Sequence, residues 1–278
     1  GKIENNQNKG IAKLLGDAVG FIYDLMSIPS RNILFSGHNG LIKTSALKKI
    51  NGFPETTRAE DYALSLKMYD NGYKGIYAPT ALSGENVPKD YTNLKKRDKS
   101  WAFGTSSILF SNIKRLCASN IDFFDKLDIF LDLTGEYFIK SILIIGIVIL
   151  SIISVINNVK IPLFVSSVVL IDFLRPHMIV LYVKNKKTKN YFAYIFSRFS
   201  LLFARFIGTI KAVLKTEKTF SVTEKNPKKN RIKSIVNVIP EIITGSILLS
   251  ILFITNNFNL PIFLFGMSLI LTITWSQY

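Results

Sequence analysis

The chain has 278 residues, 48% of them hydrophobic, with 35 Lys and Arg against 19 Asp and Glu, a formal net charge of +16 and a mean hydropathy of +0.27. The apolar weight is uneven: residues 1–135 are mixed and polar, whereas 136–278 hold long apolar runs such as the uncharged Ile142–Ile156, so a single soluble core is excluded and a soluble region followed by a membrane region is expected. The basic residues crowd beside the apolar runs, which favours a cytoplasmic membrane face over nucleic acid, and the single Cys117 excludes an intrachain disulfide.

In chain order, residues 1–10 are polar and expected to fray, and Ile11–Met26 carries apolar residues at helical spacing. No signal-peptide pattern precedes them, and the chain is expected to begin within a longer protein. Ile28-Pro29-Ser30 breaks the helix, and Ile33–Phe35 then reads as a buried strand. It runs into Ser36-Gly37-His38-Asn39-Gly40, where two glycines around His38 and Asn39 allow either a plain turn or a tight backbone beside a ligand. Thr44 can cap a short helix through Ile50 that Gly52 closes.

The helix from Ala59 to Asn71 has one apolar stripe at Tyr62, Leu66 and Tyr69 and another at Leu64 and Met68, so it is expected to be largely buried. Two acids open it. Successive helical residues point about 100° apart, so Glu60 and Asp61 cannot face one spot. Either both complement the helix dipole or one faces a cleft. Gly72 ends the helix, Tyr73–Ala78 reads as a strand and Thr80–Glu85 as a second extended piece. Lys89–Phe103 reads as a basic helix ending on Trp101 and Phe103, suited to a membrane surface or to stacking on a sugar. Asp122–Asp132, with Phe123, Phe124, Leu127, Phe130 and Leu131, also looks interfacial.

Four membrane crossings are predicted, at Phe138–Ile156, Ile161–Val183, Ile235–Thr255 and Leu260–Trp275, near the roughly 20 residues a spanning helix needs. Between the second and third, Tyr191–Leu214 is apolar but interrupted by Arg198, Arg205 and Lys211 near one face, which reads as an in-plane helix. The Lys184–Lys233 segment carries fourteen Lys and Arg, the 157–160 turn one and 256–259 none, so the soluble region and both ends of the chain are placed in the cytoplasm of a plasma membrane. In the second crossing, Asp172 either pairs with Arg175 on the same helix or joins Arg175 and His177 in a polar path.

Three stretches together resemble the processive family-2 membrane glycosyltransferases that make cellulose, hyaluronan and related β-glycans. Ala59-Glu60-Asp61 is similar to that family's Thr-Glu-Asp motif. Arg97-Asp98-Lys99-Ser100-Trp101 sits where the family has Gln-x-x-Arg-Trp. Phe220-Ser221-Val222-Thr223-Glu224-Lys225 fits its gating-loop pattern Phe-x-Val-Thr-x-Lys. The order of motifs and membrane segments also fits, and Phe35–Gly40 resembles the segment opening the acceptor side. The resemblance implies an α/β GT-A-like catalytic domain, of which residues 1–104 would be the C-terminal half. Interfacial helices at 105–135 follow, then a transmembrane domain at 136–278 with an in-plane helix at 190–214 and a gating loop at 216–229.

It further implies that Asp61 is the general base, that Glu60 supports it, and that Trp101 stacks on the terminal sugar of a glycan acceptor. Phe220, Val222, Thr223 and Lys225 would close over the nucleotide-sugar donor, a UDP-sugar by resemblance, with His38 and Asn39 on the acceptor side. Ala59 stands for the motif Thr, Arg97 for Gln and Ser100 for Arg, so Arg97 or Lys99 would have to meet the departing diphosphate. No Asp-x-Asp precedes the membrane region, so the Mg²⁺ or Mn²⁺ cofactor is expected through a donor-binding N-terminal half outside this chain, and no metal ligand is assigned within it.

Such a transfer needs a base for a weakly acidic hydroxyl and a platform that holds the acceptor. One base with direct displacement inverts the anomeric carbon. The competing readings are a non-processive transferase acting on a lipid-linked acceptor and a non-enzymatic transporter or scaffold.

Overall fold

The structure, a computed structural model, describes residues 2–5, 33–55, 57, 59–78, 80–85, 88, 91–182, 191–215 and 235–272. The predicted helix Ile11–Met26 and gating loop lie outside them. Strand β1 (Lys2–Asn5), helices α1 (Thr44–Lys49) and α2 (Glu60–Asp70) and strand β2 (Leu82–Glu85) precede the 28-residue α3 (Tyr91–Ala118) and α4 (Phe123–Thr134). After a π turn (Gly135–Ile139) come α5 (Lys140–Ile156), α6 (Leu163–Tyr182), α7 (Tyr191–Val213), α8 (Ile239–Thr255) and α9 (Leu260–Ile270).

Three local expectations are corrected. Residues 2–5, expected to fray, form a strand that pairs in parallel with β2, Lys2 opposite Leu82 and Asn5 opposite Glu85. Ile33–Phe35 and Tyr73–Ala78 are not strands, although Leu34 is buried. Their polar backbone groups are met by α2 side chains: Phe35 N–H donates to Ser65 Oγ at 2.7 Å, Tyr69 Oη–H donates to the Ile33 carbonyl at 2.9 Å, and Gly75 N–H donates to Tyr69 Oη at 3.3 Å. A buried backbone needs a partner, and a side chain satisfies it as well as a strand does. The short helix α1 begins at Thr44 with Lys43 in the cap position, so Thr44 is its first residue and not its cap.

Helix α2 buries Leu64, Leu66 and Tyr69 as its two apolar stripes require, and Gly72, at φ +77°, turns the chain away after it. Leu66 and Tyr69 join Leu34, Ile108 and Leu116 of α3, and Ile129 and Leu133 of α4, in one core. Helix α3 extends fifteen residues past the predicted end at Phe103, so the basic segment and the first interfacial segment are a single rod without a break at residue 104.

Helix α7 lies along α3. Tyr91 and Ser200 hydroxyls meet at 2.8 Å, Asp98 accepts from Arg205 at 2.6 and 2.8 Å, and Ser106 and Thr209 hydroxyls meet at 3.4 Å, so the two helices run in the same direction. Gly208 makes this possible, because a Cβ there would collide with the Lys99 carbonyl oxygen. The remaining helices close around the other side of α7: Phe199 and Leu202 pack with Ile144 and Val148 of α5, Val169 of α6 and Phe265 of α9. Helices α8 and α9 approach closely because a Cβ on Gly245 would lie 2.7 Å from the Gly266 carbonyl oxygen.

Among the described residues, one helical stretch, Tyr137–Ile156, is long and apolar enough to cross a membrane, with mean hydropathy 2.8. The other apolar helices, Leu163–Leu174, Ile239–Thr255 and Leu260–Ile270, are shorter. Asp172 pairs with Lys140 of α5 at 3.0 Å, a partner outside its own helix.

Candidate active site

The two acids that open α2 have different surroundings. Glu60 is exposed. Asp61 is half-buried, and its carboxylate lies against the Ser36–Gly40 loop, so closely that a Cβ on Gly37 would sit 2.9 Å from Asp61 Oδ2. Gly37 also has φ +83°, so this position favours glycine on two counts. Asp61 Oδ1 accepts from the Tyr62 N–H at 2.8 Å, and the Asp61 carbonyl accepts from Ser65 Oγ at 3.0 Å, which in turn holds Phe35. The helix turn, the acid and the loop are therefore one linked unit.

Burial pushes the Asp61 carboxyl above its ordinary value. Glu60 adds to the rise, while the Tyr62 N–H and His38 oppose it. A raised carboxylate is a stronger base, and it is in the right direction for taking a proton from a sugar hydroxyl. Exposed His38 and half-buried Asn39, at φ +49°, sit on the same loop, and His38 is near enough to Asp61 to act on its carboxyl.

The acid motif is seated directly on the helix that carries the predicted sugar platform. A Cβ on Gly104 would lie 3.3 Å from the Ala59 Cβ, so the start of α2 touches α3 three residues beyond Trp101. Trp101 is 37% exposed. The Arg97 guanidinium lies over the indole at 4.5 Å from its centroid, and the Tyr137 ring meets it edge-on at 6.4 Å. The guanidinium thus covers one face of the indole.

Of the cations considered for the diphosphate, Arg97 is buried and committed to Trp101 and to Asp98, whose Oδ1 is 3.5 Å away. Lys99 is half-buried on the same turn, and its carbonyl lies under Gly208. Sequence reasoning missed Asp98. It is 1% exposed, bonded twice by Arg205, with Arg198 Nη1 at 3.8 Å. Burial raises its carboxyl, but Arg205, Arg97 and Arg198, together with the Arg205 hydrogen bond, outweigh that and hold it below the ordinary value. The seven-residue spacing of Arg198 and Arg205 in an apolar helix was the available signal, since buried cations require an anion.

Phe220, Val222, Thr223 and Lys225 of the predicted gating loop lie outside the described residues. Among the described residues, no three His, Cys, Asp or Glu side chains converge on a point that could hold a metal ion, so they do not fit a divalent cation. Two cavities, of about 660 and 750 Å³, flank α2, one at its C-terminal end beside the Lys74–Asp125 and Arg115–Asp70 ion pairs and one beneath Phe53, Ala63 and Phe103. Asp61 lines neither.

The family model for glycosyl transferase family group 2 matches residues 9–208, a span that contains Asp61, Trp101 and Arg205 and well over half of the chain. The chain belongs to this glycosyltransferase family. No curated protein matches the sequence significantly. Membership makes the chain a glycosyltransferase, suggests a GT-A-like catalytic fold, and in general implies a nucleotide-sugar donor and a glycan acceptor. The non-enzymatic transporter or scaffold reading is set aside. The match stops short of the Phe220–Lys225 segment and of α8 and α9.

Proposed function

We propose that this family-2 glycosyltransferase is membrane-embedded and processive, resembling cellulose and hyaluronan synthases, with inversion at the transferred sugar. Asp61 acts as the base on the acceptor hydroxyl, and Trp101 stacks on the terminal sugar. The observation that carries this reading is the contact of Ala59 with Gly104, which seats the acid motif on the Trp101-bearing helix with its carboxylate turned to a loop. The donor is a UDP-sugar hexosyl donor. A divalent ion, Mg²⁺ or Mn²⁺, goes with this reading, as is common in the family.

Membrane embedding draws support from the helices after α4. Leu150, Ile153, Phe164, Ile171, Ile247 and Phe253 point outward and exposed while the same helices pack an apolar core inside. A helix apolar on all sides belongs in lipid or in a large core. On this reading α5, α6, α8 and α9 span a plasma membrane. Helix α7 lies in its plane on the cytoplasmic side with the catalytic residues, where the 184–233 basic excess belongs.

The test is incorporation of radiolabel from a panel of UDP-sugars by membrane vesicles carrying the complete gene product. Long polymer in β-linkage that is lost at least ~100-fold in Asp61→Asn supports the proposal, since general-base groups contribute typically 10²–10⁴-fold. Transfer of single sugars to extractable lipid would establish the non-processive alternative. An α-linkage would overturn inversion, and undiminished transfer by Asp61→Asn would remove Asp61 from the chemistry.

A further inference from the structure

Trp101 and four other side chains close a ring. The Arg97 guanidinium lies over the indole at 4.5 Å, and Arg97 Nη2 is 3.5 Å from Asp98 Oδ1. Asp98 Oδ2 takes two hydrogen bonds from Arg205, at 2.8 Å from Nε and 2.6 Å from Nη2. The Arg205 guanidinium lies over the Tyr137 ring at 5.1 Å, and the Tyr137 ring returns to the Trp101 indole edge-on at 6.4 Å. The members come from α3, α7 and the π turn before α5.

Each member is held where a simpler residue would serve packing equally well. Arg205 and Asp98 are each 1% exposed, and a buried ion pair is on average no more stabilising than an apolar pair of the same volume. The Arg205 guanidinium uses both of its properties at once: its edge donates to a carboxylate and its face covers an aromatic ring. Tyr137 owes its direction to the π turn, where the Lys140 N–H reaches back five residues to the Gly135 carbonyl. Such a wide turn rotates the residues within it relative to a regular helix, and it recurs at functional sites.

We propose that Asp98, Arg205 and Tyr137 are positioning residues that fix the orientation of the Trp101 indole, so that α7 sets which way the acceptor platform faces. The proposal rests on the reading of Trp101 as the platform. Its consequence is that the acceptor site is assembled across three elements distant in the chain, and that a shift of α7 along α3 turns the indole.

The test uses the complete protein in lipid nanodiscs with Trp275 and every tryptophan outside these 278 residues replaced by Phe, so that Trp101 is the single indole. Arg205→Met and Tyr137→Leu are each expected to lower the steady-state anisotropy of Trp101 and shift its emission to the red. The acceptor-oligosaccharide KM is expected to rise ~10-fold or more, with kcat at saturating acceptor and donor KM within about twofold, as for lost ground-state positioning. Tyr137→Phe, which keeps the ring, is expected to rescue both readouts. If Arg205→Met does not fold, Tyr137→Leu, which removes no charged group and leaves the Arg205–Asp98 hydrogen bonds in place, carries the test alone.

Unchanged anisotropy in the folded variants overturns the proposal, as does a released indole with unchanged acceptor KM. Trp101→Ala separates this from failure of the platform reading. If it leaves acceptor KM at the wild-type value, the platform reading fails. If it raises acceptor KM and the ring variants do not, the positioning proposal fails alone.

Discussion

Gly37→Ala is a small change aimed at the chemistry. Gly37 sits at φ +83°, where an L side chain costs about 1–2 kcal/mol, and its missing Cβ would lie 2.9 Å from Asp61 Oδ2. An ordinary carbon–oxygen contact begins near 3.4 Å, so the carboxylate has to retreat by about 0.5 Å (3.4 − 2.9). A misplacement of 1 Å at a reacting group costs ~10²-fold, so half of that should lower kcat roughly tenfold. The added methyl also displaces water from a carboxylate that burial already raises, so the acid limb of the kcat–pH profile should move further up. Gly52→Ala is the matched control. Its φ is +73° but nothing lies within 4 Å of its Cβ, so it should lose a similar stability and keep kcat. Both variants would be compared by thermal unfolding and by initial rates of sugar transfer between pH 5 and 8. Wild-type kcat in folded Gly37→Ala, or an equal loss in Gly52→Ala, would refute the contact argument.

Two further predictions concern stability. Gly208→Ala forces a methyl into the Lys99 carbonyl and toward the Ala102 Cβ, 3.1 Å away, and should cost about 1–3 kcal/mol as overpacking does, read as a lowered melting temperature by circular dichroism. Gly146→Ala, with nothing within 4 Å, should not lower it, and equal melting temperatures for the two variants would refute the close α3–α7 approach. Asp132 is half-buried, and burial, with Asp128 beside it, pushes its carboxyl up to about 6. Because the folded value lies above the unfolded one, its stabilising contribution is complete below about pH 4 and is lost as pH rises through about 6. Asp132→Asn should therefore flatten the pH dependence of the melting temperature between pH 4 and 7 and gain about 1–2 kcal/mol relative to wild type at pH 7.5, discounted for the solvent reaching the side chain. An unchanged pH profile would count against burial of this acid.

What the sequence made legible was whatever depends on neighbours along one helix. The two stripes of α2, the split between Glu60 and Asp61, the apolar helices after residue 136 and the common face of Arg198 and Arg205 all follow from a period of 3.6 residues. What it hid was whatever depends on a partner far away in the chain. The stretches 33–35 and 73–78 look like strands because their residues favour extension, yet Ser65 and Tyr69 satisfy their backbone groups. The boundary at residue 104 comes from the resemblance, whereas α3 has no proline to stop it and uses Gly104 as the seat for Ala59. The resemblance assigns Arg97 or Lys99 to the departing diphosphate because Ser100 stands where the family motif has its Arg. Arg97 is instead turned inward by an acid at the very next position, and the reason that acid can be buried at all lies 107 residues away, at Arg205. A charged residue inside an apolar helix thus identifies an unsolved partner before it identifies a function, and in this chain solving for the partner of Arg205 leads through Asp98 and Arg97 to the Trp101 indole.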